Sequence, residues 1–355
     1  MKKLAAAAIG LAISAGVAQA GGIFRSSQSV GILFEQGRYA ELSFGIVSPD
    51  LSGSVGGGAL LSGDMAGDYT SLGFAYKMNI GDNMDLAFIV ESPVGANVAY
   101  PIGTGYPLQG TTAKINSLSY TGLLRYRMSN NMSIYGGLRI QQVNGRASLP
   151  FLGGYTLNTG QETDLGYVVG VAYEKPEIAL RVALTYNSEI THDFDQVTEF
   201  GAPSADFSTT IPQSLQLEFQ SGVAPDTLVF GAIRWEDWTS YDISPVTYVG
   251  ITGSPLSSYS EDIINYSIGI GRRFSDELSG AISLGYVPAN DQVTGNLSPA
   301  DGSISLGLAA IYKRDNVKVT FGVRYVRLGD ATTTIGAQFT DNHALGAGVK
   351  IGYSF

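Results

Sequence analysis

In the stretches where apolar and polar residues alternate, Glu41, Lys77, Glu91, Arg125, Arg139, Arg181, Glu189, Glu218, Arg273, Lys318, Arg324 and Lys350 share the polar parity. Residues of one parity in a strand project from one face of a sheet, so these charges gather on a common side. Basic members outnumber acidic ones, which leaves cations for an external anion. A guanidinium offers a carboxylate a two-pronged fork, and Arg139, Arg181 and Arg125 are the candidates to receive one. The same residues have a plainer use, as Arg/Glu pairs that brace a wall.

Signs of catalysis are sparse. The two histidines, His192 and His343, lie near borders between strands and loops, with no Gly-x-Ser-x-Gly or His-Glu-x-x-His around either. Gly56-Gly57-Gly58 lacks the Lys and Ser/Thr of a phosphate loop, and the Asp/Asn-rich turns fit hairpins better than a Ca²⁺ loop. The chain has no Cys, hence no disulfide and no thiolate metal site. No catalytic residue, metal or other cofactor is expected.

The elements that carry these charges read as strands with two solvents. Leu72/Phe74/Tyr76, Leu118/Tyr120/Leu124/Tyr126, Leu165/Tyr167/Val169/Val171/Tyr173, Leu180/Val182/Leu184/Tyr186, Ile264/Tyr266/Ile268/Ile270 and Val319/Phe321/Val323/Tyr325 hold the opposite, apolar parity. That alternation is what a membrane-spanning β-barrel requires. Tight connections at residues 81–83, 129–131, 174–176, 224–226, 275–277 and 314–316 take turns with long Gly/Ser/Thr/Pro-rich ones near 56–68, 101–111, 147–161, 193–207, 241–262, 289–302 and 330–340. They join about fourteen strands, an even number that puts both ends of the sheet on the periplasmic side. The expected fold is all-β, a transmembrane antiparallel barrel with a short N-terminal plug. With 46 Gly, 20 Tyr, 15 Phe and only 15% charged residues, composition agrees, and a net charge of −10 argues against a nucleic-acid partner.

The ends suggest a compartment. Lys2 and Lys3 precede an apolar run, and Ala18-Gln19-Ala20 has the small-x-small pattern of a signal peptidase site. The expected organisation is a signal peptide at 1–20, a plug segment at 21–38 and the barrel at 39–355. The terminal Phe355, with Tyr353 before it, is similar to the signal that barrel-assembly machinery reads in outer-membrane proteins, so the bacterial outer membrane and its lipid are the expected setting.

Several segments in order resemble the FadL-type outer-membrane transporters of long-chain fatty acids and related hydrophobic compounds. They are Glu91-Ser92-Pro93-Val94-Gly95, Ala183 to Ile190 with Asp193-Phe194, Pro212-Gln213-Ser214-Leu215, and Ala232 to Thr239 with its Trp235-Glu236-Asp237-Trp238 core. The resemblance implies a monomer that binds a fatty acid or other hydrophobic molecule in its lumen and releases it sideways through a gap at a kinked third strand. Pro93 removes a ladder donor and Gly95 loosens the backbone, so the strand from Asp85 to about Tyr100 is the expected place of that gap. The hatch is shortened and lacks the family's Asn-Pro-Ala signature, and the connections that would carry a surface capture groove are short. The competing readings are a general diffusion porin and, more remote, a barrel enzyme.

Overall fold

The computed structural model describes residues 23–355; the expected signal peptide and cleavage point lie outside the described residues. The barrel strands, numbered in chain order, are β1 (Tyr39–Asp50), β2 (Tyr69–Ile80), β3 (Met84–Glu91, resuming at Gly95–Ala99), β4 (Thr112–Arg127), β5 (Met132–Leu149), β6 (Glu162–Lys175) and β7 (Leu180–Asn187). They continue as β8 (Ser214–Ala224), β9 (Thr227–Glu236), β10 (Ile263–Arg273), β11 (Leu278–Val287), β12 (Ser303–Arg314), β13 (Val317–Leu328) and β14 (His343–Ser354). Every neighbouring pair is antiparallel, and β1 closes the ring by pairing with β14 from Tyr39↔Ser354 to Asp50↔His343. The result is the fourteen-stranded closed barrel expected from the turn count. Closure leaves no open edge, the condition for a sheet to sit in lipid.

The turns explain the topology. At the tight end the chain reverses through residues in the left-handed region, Gly81 (φ 64°), Asn131 (φ 66°), Asp226 (φ 59°) and Asp315 (φ 50°), types that tolerate it. The outward parity is apolar and exposed: Leu72, Leu165, Tyr167, Val169, Ile268, Leu284, Phe321 and Leu345 all face away from the protein. Tyr126, Tyr173, Tyr312 and Tyr353 ring the tight end, and the Phe355 ring meets Tyr353 edge-on at 4.9 Å. Among the described residues, no helix is long and apolar enough to cross a membrane.

Inside, residues 23–38 fold into the lumen. A short 3-10 turn, Gly31–Phe34, puts Ile32, Leu33 and Phe34 against Ala87, Leu123, Tyr135, Val168 and Ala183 of the wall. Burying each such side chain is worth about 1.5–3 kcal/mol, which fixes the segment as a plug at the tight end. Two charges depart from the expected lumenal set: Glu189 is exposed at the end of β7, and Arg273 crosses a tight turn to Asp226. Asp85, Arg234 and Glu236 are buried inside and extend it.

Candidate functional site

The candidate site is an apolar chamber at the long-loop end, above the plug. Its making starts with the lumenal cations, most of which are spent on the plug. Arg125 donates from Nε to Ser133 Oγ (2.9 Å) and from Nη1 to the Leu33 carbonyl (3.0 Å), and pairs with Glu174 and, at 3.8 Å, with Asp85. Arg139 donates to Thr121 Oγ1 (3.0 Å) and to Gln28 Oε1 of the plug (2.6 Å). Arg181 lies over the Phe34 ring at 4.5 Å, on which Arg125 also stacks at 4.5 Å. Lys77 bonds the Gly37 carbonyl at 3.0 Å and Lys318 bonds Glu35 at 2.6 Å. Arg234, which sequence reasoning did not single out, holds the Ser27 carbonyl (2.7 Å), Glu236 (2.6 Å) and the face of Phe24 (5.2 Å).

All three arginines read from the sequence as carboxylate receptors therefore face the lumen, but beside the plug; none lines the chamber. Arg181 borders a second, smaller polar cavity of about 90 Å³ with Glu41, Glu91 and Lys350.

The wall beside the chamber is interrupted where Pro93 and Gly95 stand. The β2–β3 ladder ends at Phe74↔Val90 and resumes, in the same register, with the Gly67 N–H on the Asn97 carbonyl (2.9 Å) and the Ala66↔Val98 bridge. Between them residues 68–73 and 91–96 share no ladder pair among the described residues. The freed backbone groups of β3 are satisfied from inside. The Arg25 N–H donates to the Pro93 carbonyl (2.7 Å), and the Gly95 N–H donates to the Ile23 carbonyl (2.7 Å). Ser117 Oγ accepts from the Val94 N–H (3.0 Å) and donates to its carbonyl (2.5 Å). Pro93 brings no N–H to satisfy. A Cβ at Gly95 would lie 2.6 Å from Arg25 Nε, so a larger residue there would push the Arg25 side chain aside. The plug thus lines the gap with one added strand-like rung, and the Arg25 guanidinium lies over Tyr69 of β2 at 4.1 Å. Arg25 was not legible as special in the sequence, since it precedes any alternating segment.

The opposite wall is built by a second break. β7 and β8 pair up to Asn187↔Ser214, are interrupted at Ser188-Glu189 and Pro212-Gln213, and resume in the same register as a hairpin of Ile190–Phe194 and Phe207–Ile211. The hairpin forms a separate sheet. It sends Phe194, Phe207 and Ile211 into one apolar cluster with Phe24, Trp238 and Tyr241. The cavity measures about 190 Å³ and reaches from Gly67, Tyr69 and Gly95 at the gap to Tyr241, Leu256 and Tyr259. An apolar cavity of about 150 Å³ holds a benzene molecule, so the chamber suits a single-ring compound or a short stretch of chain.

Above the chamber the loops are tied by one carboxylate. Glu199 accepts from Tyr155 Oη (2.8 Å), Ser204 Oγ and the Thr247 and Tyr248 amides (2.9 and 2.8 Å), and so caps a seven-residue helix, Val246–Thr252. Burial pushes its carboxyl up, but hydrogen bonds from Ser204, Thr247 and Tyr155 outweigh it and bring the pKa down to about 2. Among the described residues there is no His/Cys/Asp/Glu cluster arranged to hold a metal ion.

No family model and no curated protein matches the sequence. Solved structures do. A FadL homologue from Pseudomonas aeruginosa superposes with a TM-score of 0.74 at 13% identity, covering 96% of this chain and 97% of that one. The Pseudomonas putida toluene transporter TodX gives 0.68 at 12% identity over 98% of each chain, and the Ralstonia pickettii toluene transporter TbuX gives 0.63 at 14% identity over 91% and 90%. With its closed ring, inserted N-terminal segment and interrupted third strand, this chain has the fold of the FadL-type outer-membrane barrels.

Proposed function

We propose that the protein carries small hydrophobic molecules across the bacterial outer membrane as a plugged monomer. On this reading cargo enters from the long-loop side, rests in the apolar chamber and leaves sideways into lipid through the gap between β2 and β3. The observation that carries the reading is the continuity of one cavity from the aromatic wall at Tyr241 and Tyr259 to the unpaired wall at Gly67, Tyr69 and Gly95. Lateral exit is the favoured direction because each buried CH₂ is worth about 0.8 kcal/mol, so an apolar cargo released into lipid avoids the cost of water.

The porin alternative requires an aqueous path, and the plug opposes it. The lower lumen is filled by Val30, Ile32, Leu33 and Phe34 and their wall contacts. The test is conductance in a planar lipid bilayer: the full chain is expected to pass little ion current, and a variant lacking residues 23–36 to conduct steadily. Porin-like conductance of the intact chain overturns the plugged reading.

A fatty acid is the second reading for the cargo. Arg181 supports it, since it borders the smaller cavity and makes no ion pair within 4.0 Å among the described residues, its nearest carboxylate influences being Glu218 and Glu35. Arg139 and Arg125 are the weaker receptors, because their donors already engage Gln28, Thr121, Ser133, Leu33 and Glu174. An enzymatic role gains no support from His192, whose ring is fully buried with Nδ1 held by Asp164 at 2.7 Å.

A further inference from the structure

Toward the long-loop end of β4 and β5, Ala113, Ile115, Val143 and Ala147 pack into the apolar clusters of the lumen. Strand residues alternate in direction, so Lys114, Asn116, Asn144 and Arg146, which belong to the same stretch of chamber wall, turn to the outer face of the barrel. There they stand in register: Lys114 lies opposite Arg146, and Asn116 lies opposite Asn144, to which its amide donates at 3.0 Å. Like charges directly opposite each other destabilise a sheet. Neither cation makes an ion pair or a side-chain hydrogen bond among the described residues. Their other cross-strand neighbours are neutral amides, Asn97 beside Lys114 and Asn158 beside Arg146. Asp68, the carboxylate of β2 nearest that row, lies beyond β3 and already accepts from Ser48 at 2.6 Å.

The height of the pair narrows its partner. Below it the same face is apolar, from Tyr126 through Leu124 and Tyr120 to Leu118 on β4 and from Ile134 through Leu138 to Ile140 on β5. The β4 run covers about 26 Å along a tilted strand, enough for most of the apolar band of an outer-membrane barrel. Lys114 and Arg146 follow about 13 Å farther along, where long side chains reach the head groups of the outer leaflet. Elsewhere on this rim Asp50 and Asp262 are exposed, and Arg327 is paired with Asp341 at 3.5 Å, in a chain of net charge −10. We infer that the outer face of β4 and β5 binds the phosphorylated glycolipid of the outer leaflet, with its phosphate received by Arg146 and Lys114. The guanidinium supplies a two-pronged fork for phosphate oxygens and the ammonium a point charge, while Asn116 and Asn158, exposed beside them, meet sugar hydroxyls. Because β4 flanks the interrupted β3, the bound lipid stands next to the seam. The site lies outside the lumen and does not depend on what the chamber carries.

The test is titration of the full chain in detergent with diphosphoryl lipid A, followed by the rise in unfolding temperature, with inorganic phosphate and dephosphorylated lipid A as parallel arms. Wild type is compared with Lys114→Gln/Arg146→Gln and with a control of equal charge loss on exposed residues of the tight end, Lys313→Gln/Arg314→Gln. Wild type is expected to be stabilised by diphosphoryl lipid A and not by either other probe. The Lys114/Arg146 double variant should need about tenfold more lipid for the same rise, and the control should stay within about twofold of wild type. Without lipid the double variant should unfold at or above the wild-type temperature, since a repulsion has been removed. Lower lipid-free stability, or failure to fold, assigns the pair to the wall and overturns the inference. So do equal weakening in both variants, no weakening in either, and a wild type that does not respond to the lipid. Stabilisation by inorganic phosphate alone makes the site one for a free anion and overturns the lipid assignment.

Discussion

Side-chain parity was legible residue by residue; partnership was not. Arg125, Arg139 and Arg181 turn inward as alternation requires, yet what each touches depends on where the plug lies, and no strand pattern encodes that. Glu199 was invisible for the same reason, because its donors come from three separate loops. Two outcomes follow from these contacts. Arg125→Ala strips a partner from the fully buried Asp85 and frees Glu174, so it is expected to cost about 3 kcal/mol in unfolding titrations, while Arg181→Ala costs less stability and, on the fatty-acid reading, lowers the preference for a fatty acid over its alcohol about tenfold in binding assays. Equal losses of stability in both would contradict that division of labour. For Glu199 the folded pKa lies below the unfolded one, so its contribution is complete above about pH 4.5 and drains away as pH falls toward about 2. Of the two tryptophans, Trp238 shares an apolar cluster with Tyr155, which donates to Glu199. Tryptophan emission should hold from neutral pH to about 4.5 and shift below it, and Glu199→Gln should abolish that acid step; an unaltered step would assign it to another group.

Strands and turns were the most readable level, because dyad alternation and Asn/Asp/Gly turns act locally. The tight turns fall at or within a residue or two of the places the sequence marks, and Pro93 with Gly95 stands in the interruption of β3. The β7–β8 break was not anticipated, although Pro212 was in view. A proline announces a lost donor, but whether the strand stops, bulges or leans inward is decided by what packs beneath it, here Phe194, Phe207 and Ile211 on Phe24 and Trp238. The helix Val246–Thr252 was also missed, being short and capped only by a distant carboxylate. The gap makes its own prediction for hydrogen exchange. Within β2, amides of residues 68–73 that point toward β3 lack ladder partners, whereas those of 74–80 are paired. Peptides from the first stretch should exchange faster in detergent, and uniform protection along β2 would show that the gap closes in solution.

At the scale of the whole molecule the barrel is a wall with one unstitched seam and an inserted N-terminal segment that fills its lower lumen. Hydrophobic burial and buried guanidinium contacts hold the plug at the tight end, leaving the chamber free above it and open to the seam. The central claim is that cargo passes through this seam. Because the chain has no Cys, a Leu72→Cys/Ser92→Cys pair introduces the only thiols, at positions that the flanking register sets opposite each other across the unpaired stretch. The decisive measurement is uptake of radiolabelled toluene by cells expressing this pair, oxidised and then reduced, alongside binding to the purified protein. Uptake should fall to background on oxidation and return on reduction while binding persists; wild-type uptake by a fully crosslinked sample would contradict the lateral route.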